Sequence, residues 1–170
     1  STTGHQFETD PERKIRTMRS KVVCSNGCGW SPHGKIFYHT ESFRHAIYAY
    51  DFNLRRGTLS RRRVFARVDR RSGGFPDGMT VDHEGFVWSC VVGLGQIWRH
   101  DPGGKVERVL RLPVPRATDC TFGGEKLDTL YITTARETMS RRDLKRYPLS
   151  GSLFACRPGV RGMRGNFFPG

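Results

Sequence analysis

One pattern is written three times along this chain, and it limits the possible folds more than any other property. The middle copy opens Pro76-Asp77-Gly78-Met79 and continues Val81-Asp82-His83-Glu84-Gly85-Phe86-Val87-Trp88. It reads as a Pro-Asp-Gly turn, an apolar strand, an acidic glycine turn and a second apolar strand. An earlier copy runs from Ser25-Asn26-Gly27 through Gly34-Lys35-Ile36-Phe37-Tyr38. Asn26 maps to Asp77, Gly27 to Gly78, Gly34 to Gly85 and Phe37 to Trp88, all at one offset of 51. A looser third copy, Thr118-Asp119-Cys120-Thr121-Phe122-Gly123-Gly124 running on to Leu127–Thr133, starts 42 residues after the second. Each copy is followed by another apolar strand: Ile47-Tyr48-Ala49-Tyr50, Gln96-Ile97-Trp98 and Leu153-Phe154-Ala155. Self-similarity at ~40–50 residues with several short strands per copy is the signature of a β-propeller.

No segment carries a sustained helical period, so an all-β fold is expected. The expected architecture is a β-propeller of about three four-stranded blades from a six-bladed ring. Residues 1–21 read as the end of a preceding blade, and 22–66, 67–112 and 113–170 as the repeats of a single partial domain. Strands are expected around Gln6–Glu8, Ile15–Met18, Val22–Cys24, Cys28–Ser31, Ile36–His39, Ala46–Asp51 and Arg63–Ala66. Asp10-Pro11 reads as a turn, residues 67–76 as a glycine-rich loop, and the charged insert Glu137–Tyr147 as a helical turn or a loop. Residues 161–170 read as an irregular tail. A propeller closes with ~4–8 blades, and six blades of ~45 residues need ~270. Three blades leave two open sheet edges. The expectation is therefore half a ring, its other half outside this sequence, supplied by another chain, or lost. The absence of an initial Met points to a missing leading piece.

Composition narrows the function classes. The 20 Gly and 9 Pro suit a chain with many tight turns. No run of ~18 apolar residues exists, so no membrane span is expected. Ser1–Arg19 lacks the apolar core of a signal peptide, and a soluble, cytoplasmic protein is expected. The five Cys, at 24, 28, 90, 120 and 156, form no C-x-x-C pairs. They read as free thiols packed in or near strands rather than a zinc site. Net charge is +13, which can recruit polyanions. The basic clusters (Arg55-Arg56, Arg61-Arg62-Arg63, Arg70-Arg71, Arg141-Arg142, Lys145-Arg146) are spread among loops, with no aromatic-interleaved RNA-binding motif. Nucleic acid is not expected as the main partner. No H-E-x-x-H, G-x-S-x-G or phosphate loop occurs. His33 and His83 read as surface residues in outer turns.

Several of these segments together resemble the SMP-30/gluconolactonase/regucalcin family. They are Ser25-Asn26-Gly27 to Trp30-Ser31-Pro32, Gly34-Lys35, Ile47–Asp51, Arg62–Phe65, Pro76–Asp82, Glu84-Gly85 to Trp88, Cys120–Gly124 and Leu127–Thr134. The tail Pro158–Gly162 fits as well, and the order is preserved over roughly residues 5–170. The resemblance is to the C-terminal half of the family's six-bladed propeller. It implies a metal-dependent lactone hydrolase, opening sugar lactones to sugar acids. The implied cofactor is a divalent metal, calcium or zinc, with manganese or magnesium as alternatives. By resemblance Asn26 and Asp77 are metal ligands, and Asp77 is also the catalytic general base. The family's Glu ligand and its substrate-binding Arg and Asn belong to the half not covered. Equivalent turns of successive blades point toward one axis, so Asn26 and Asp77 are expected to converge.

The residues alone leave a plainer reading open, because Asn-Gly and Asp-Gly are common turn dipeptides. The chain also departs from the family pattern. Glu41 precedes Ser42 where Asp is usual, Val92-Gly93-Leu94 replaces Trp-Gly-Gly, and Asp119 stands where a small polar residue is usual. Asp119 is either an extra acidic group on the same channel or a turn carboxylate. The expected partners are a small-molecule lactone and a chain, or second copy, that supplies the remaining blades. The alternative function is a non-catalytic half-propeller that binds a protein or polyanion through its open edge or arginine-rich surface.

Overall fold

A computed structural model describes residues 4–9 and 12–165. Within them the chain is almost entirely strand and turn, as the missing helical period requires. Four antiparallel sheets follow one another in chain order. The first pairs β1 (Gly4–Thr9) with β2 (Ile15–Val22). The second is β3 (Ser25–Trp30), β4 (Ile36–Glu41), β5 (Ala46–Asn53) and β6 (Thr58–Arg67). The third is β7 (Phe75–Val81), β8 (Val87–Val92), β9 (Gln96–His100) and β10 (Val106–Arg111). The fourth is β11 (Ala117–Gly123), β12 (Thr129–Thr134) and β13 (Phe154–Cys156). Both middle sheets have the four strands expected, while the last has three among the described residues. The charged insert holds one short helix, α1 (Arg141–Arg146), whose first turn is capped by the Ser140 hydroxyl accepting from the Asp143 N–H. The Asp10-Pro11 turn and residues 166–170 of the tail lie outside the described residues.

Each sheet packs face to face on the next, and the alternating side chains of one strand feed two different cores. In β4, Phe37 joins Ala46, Tyr48 and Tyr50 on the side of the first sheet. Its neighbour Tyr38 joins Ile47, Ala49, Met79, Val81 and Val87 on the other side. In β8, Val87 belongs to that second core, while Trp88 and Cys90 pack with Ala117, Cys120, Phe122 and Leu130 in a third. All six residues of β8 are buried. This is why its sequence is a continuous apolar run rather than an alternation. Arg19 of β2 fastens the first sheet to the second, reaching Glu41 at 3.1 Å and the Tyr50 hydroxyl.

The repeat is visible in the turns. Gly34 and Gly85 end the β3–β4 and β7–β8 connections in the left-handed region, at φ +63° and +85°. The third copy puts Leu127 there, at φ +53°, so the loosest copy carries the poorest residue for that conformation.

Two expectations are corrected. The strand expected at Val22–Cys24 is absent: Val22 ends β2, and Val23 and Cys24 bend into β3. Asn26-Gly27 and Asp77-Gly78 are not turns; they lie inside β3 and β7. Pairing slips there, between Ser25 and Cys28 and between Pro76 and Met79, and β11 slips between Ala117 and Asp119. These are β-bulges in the first strand of three successive sheets. A polar residue followed by glycine suits a bulge as well as a turn, because both need local freedom from the ladder.

Candidate metal centre at the first strands

The three bulged strands lie side by side, and glycine sets their spacing. A Cβ on Gly27 would meet the Met79 nitrogen at 2.5 Å and the Asp77 carbonyl oxygen at 2.8 Å. A Cβ on Gly78 would collide with the Asp119 carboxyl group. The bare backbones therefore let β3 approach β7, and let the Asp119 side chain lie over β7. A bulge re-aims the side chain it carries, and here it brings polar residues from distant copies together.

Asn26 and Asp77, 51 residues apart, are in direct contact. The Asn26 amide Nδ2 donates to Asp77 Oδ1 and, at 3.2 Å, to the Ser42 hydroxyl. A half-turn of that amide presents its oxygen instead, and the two orientations occupy the same space. Asp119 Oδ1 accepts the N–H of Cys120 at 2.8 Å. Asp77 is half-buried, while Asn26 and Asp119 are exposed. Burial first, and then the Asp119 charge, push the Asp77 carboxyl up to about 6 against the opposing pull of Arg116. Burial also raises Asp119, with the Cys120 N–H working the other way. Burial and Asp119 raise the Cys28 thiol. The site is thus a locally acidic spot in a strongly basic chain.

The donor set fits a divalent cation in part. An amide oxygen and a carboxylate suit a hard ion. Among the described residues no group of three or more His, Cys, Asp or Glu is arranged to hold a metal. The histidines stay out of the site: His33 and His83 are exposed, and His83 Nδ1 contacts the Arg161 carbonyl oxygen at 3.0 Å. All five cysteines are free thiols, with Cys90 and Cys120 buried.

Neighbours of the site were not legible in the sequence. Ser42 supports Asn26 from a 3-10 turn. Arg116 comes from the loop before β11. Ser25, next to Asn26, shares a hydrogen bond of 2.9 Å with His39 Nε2. His39 is fully buried, and its Nδ1 has no partner among the described residues. No motif marks these residues, since the copies differ at their positions.

The comparisons with known proteins agree with this architecture. A family model described as the SMP-30/Gluconolactonase/LRE-like region matches residues 1–136. The chain is 38% identical over 169 residues to a 6-deoxy-6-sulfogluconolactonase of Pseudomonas putida, covering 98% of this chain and 57% of that protein. It is 34% identical to human regucalcin over 162 residues, covering 94% and 54%. A luciferin-regenerating enzyme superposes with a TM-score of 0.86 at 26% identity, over 97% of this chain and 55% of the other. A regucalcin from Agrobacterium tumefaciens also superposes with a TM-score of 0.86, at 22% identity, over 92% and 53%, which bears on the fold alone. The chain spans about half the length of these relatives. Its sheets are thus a partial β-propeller, and the chain belongs to the SMP-30/gluconolactonase/LRE-like family.

Proposed function

We propose that this chain is part of a metal-dependent lactone hydrolase that opens sugar lactones to sugar acids. The observation that carries the reading is the contact between Asn26 and Asp77, two oxygen-bearing residues from different sheets meeting at one bulged position. The 38% identity to a protein named as a sulfogluconolactonase supports the substrate class. Asn26 and Asp77 would hold a divalent ion, calcium before zinc, because the donors are oxygens rather than thiolate or imidazole. When bound, such an ion supplies Lewis acidity toward a lactone carbonyl.

The residues account for the remaining steps. Asp77 accepts a proton from the attacking water as its oxygen bonds to the carbonyl carbon. The ring C–O bond then breaks, and Asp77 returns the proton to the departing alcohol oxygen. Asn26 stays neutral and shares the ion with Asp77, its amide lying beside the Ser42 hydroxyl.

The test is lactone hydrolysis, followed by acid release, with this chain alone and with the chain joined to the blades its relatives carry ahead of it. Activity that needs calcium and falls about 10²-fold or more in Asp77→Ala supports the reading. Activity unchanged in that variant would remove Asp77 from the reaction.

A second reading has its own observation. A cleft of about 360 Å³ opens between the first two sheets, lined by Phe7, Met18, Cys28, Trp30 and Phe37. Phe7 is 57% and Trp30 42% exposed there. A non-catalytic half-propeller would use this open face to bind a polypeptide, and would bind it equally well after Asp77→Ala.

A further inference from the structure

Outside the bulged strands, the carboxylate clusters of this chain are neutralised by arginine. Glu41 is met by Arg19, Arg44 and Arg62. Arg99 serves Asp82, Glu84 and Glu107 together. Asp51 is paired with Arg61 and Arg63, and Glu8 with Arg16. Asp77 and Asp119 are not among these pairs. The Asp119 carboxyl group lies against Gly78, the residue after Asp77, and although the Arg116 charge acts on Asp77, neither aspartate is in an ion pair among the described residues. This happens in a chain with 29 Lys and Arg. Two neighbouring carboxylates with only the more distant Arg116 charge to oppose their repulsion gain from a cation placed between them.

The geometry singles out Asp119 further. It is the third-copy counterpart of Asn26 and Asp77, at the bulge of β11. Gly78 has no side chain, so the Asp119 carboxyl group lies over the backbone of β7, next to Asp77. Its one side-chain hydrogen bond comes from the adjacent Cys120 N–H to Oδ1. Oδ2 is left without a protein donor among the described residues.

We infer that Asp119 is a third oxygen ligand, which with Asn26 and Asp77 forms a site for one hard divalent cation held entirely by this chain. The inference rests on the metal reading above and adds to it. A second carboxylate comes from β11, so the site does not wait for an acidic ligand from the part of its relatives that the chain does not span. Two carboxylates, one amide oxygen and water are donors of the kind calcium takes. The three proposed ligands all offer oxygen, which suits calcium better than zinc.

The test is calorimetric titration of calcium chloride, then zinc chloride, into the purified chain and its Asp119→Asn, Asp119→Ser and Asp77→Ala variants. Circular dichroism confirms that each is folded, and the calcium-induced rise in Tm gives a second readout. Asp119→Asn keeps the volume and removes the charge, so it separates ligation from packing. The expected result is calcium binding at one site, tighter than zinc. Affinity should fall about tenfold or more in both Asp119 variants, in the range seen when a group supporting a metal site is removed, and binding should disappear in Asp77→Ala. Unchanged affinity in the Asp119 variants, with loss in Asp77→Ala, would overturn the role of Asp119 and leave the metal reading standing. No calcium binding by the unsubstituted chain would overturn both the self-contained site and the metal reading of this chain.

Discussion

Residue by residue, the molecule separates charges that are satisfied from charges that are available. Glu41 is fully buried, and three arginines surround it. His39 is buried beside it and is held neutral: burial first, and then the Arg19 charge, push it down to about 4. A neutral native histidine must resist a proton that the unfolded chain accepts below about 6.5. Its contribution is complete above that value and is lost as pH falls toward 4. The expected loss is at most about 3 kcal/mol over that window. His39→Gln should flatten the decline in urea midpoint between pH 7 and 4.5 relative to the unsubstituted chain. Equal slopes would mean that His39 does not govern acid sensitivity.

Among the elements, the first strand of each sheet decides whether a site exists. β3 and β7 approach closely because Gly27 has no Cβ to meet the backbone of β7. Gly27→Ala forces main-chain atoms apart, not a flexible side-chain tip, and should cost about 1–3 kcal/mol by urea unfolding. It should also weaken calcium binding by separating Asn26 from Asp77. Gly34→Ala is the instructive contrast. Nothing lies within 4 Å of the added carbon, and its left-handed φ of +63° is the whole penalty, about 1–2 kcal/mol with no effect on the ion. Equal losses of binding in the two variants would argue that the approach of β3 to β7 does not build the site.

At the scale of the whole molecule, the C-terminal segment ties neighbouring sheets together. The His83 N–H donates to the Arg161 carbonyl at 3.0 Å, and the Gly162 N–H donates to the Leu127 carbonyl at 2.8 Å. Gly162 also bridges to Asp82. The segment thus joins the β7–β8 turn to the β11–β12 connection. A chain ending at Val160 loses these bonds, at roughly 1 kcal/mol each. Its Tm should fall by about 4–8 °C in a thermal melt. An unchanged Tm would show that packing between the sheets suffices without the strap.

The sequence by itself determined the repeat, and with it the strand count of the middle sheets, the glycine turns at 34 and 85, and the equivalence of Asn26, Asp77 and Asp119. These follow from local chemistry: alternation, turn residues and a constant offset. It did not distinguish a bulge from a turn at Asn26-Gly27 and Asp77-Gly78, because both require the same residues. Nor did it reveal that Glu41 is buried among arginines, or that the chain returns at Gly162 to fasten two sheets. A constant offset says which residues correspond, not how far apart they lie. That separation was decided only by tertiary packing, where two side-chain-free glycines let three strands close on one another and bring their polar residues together.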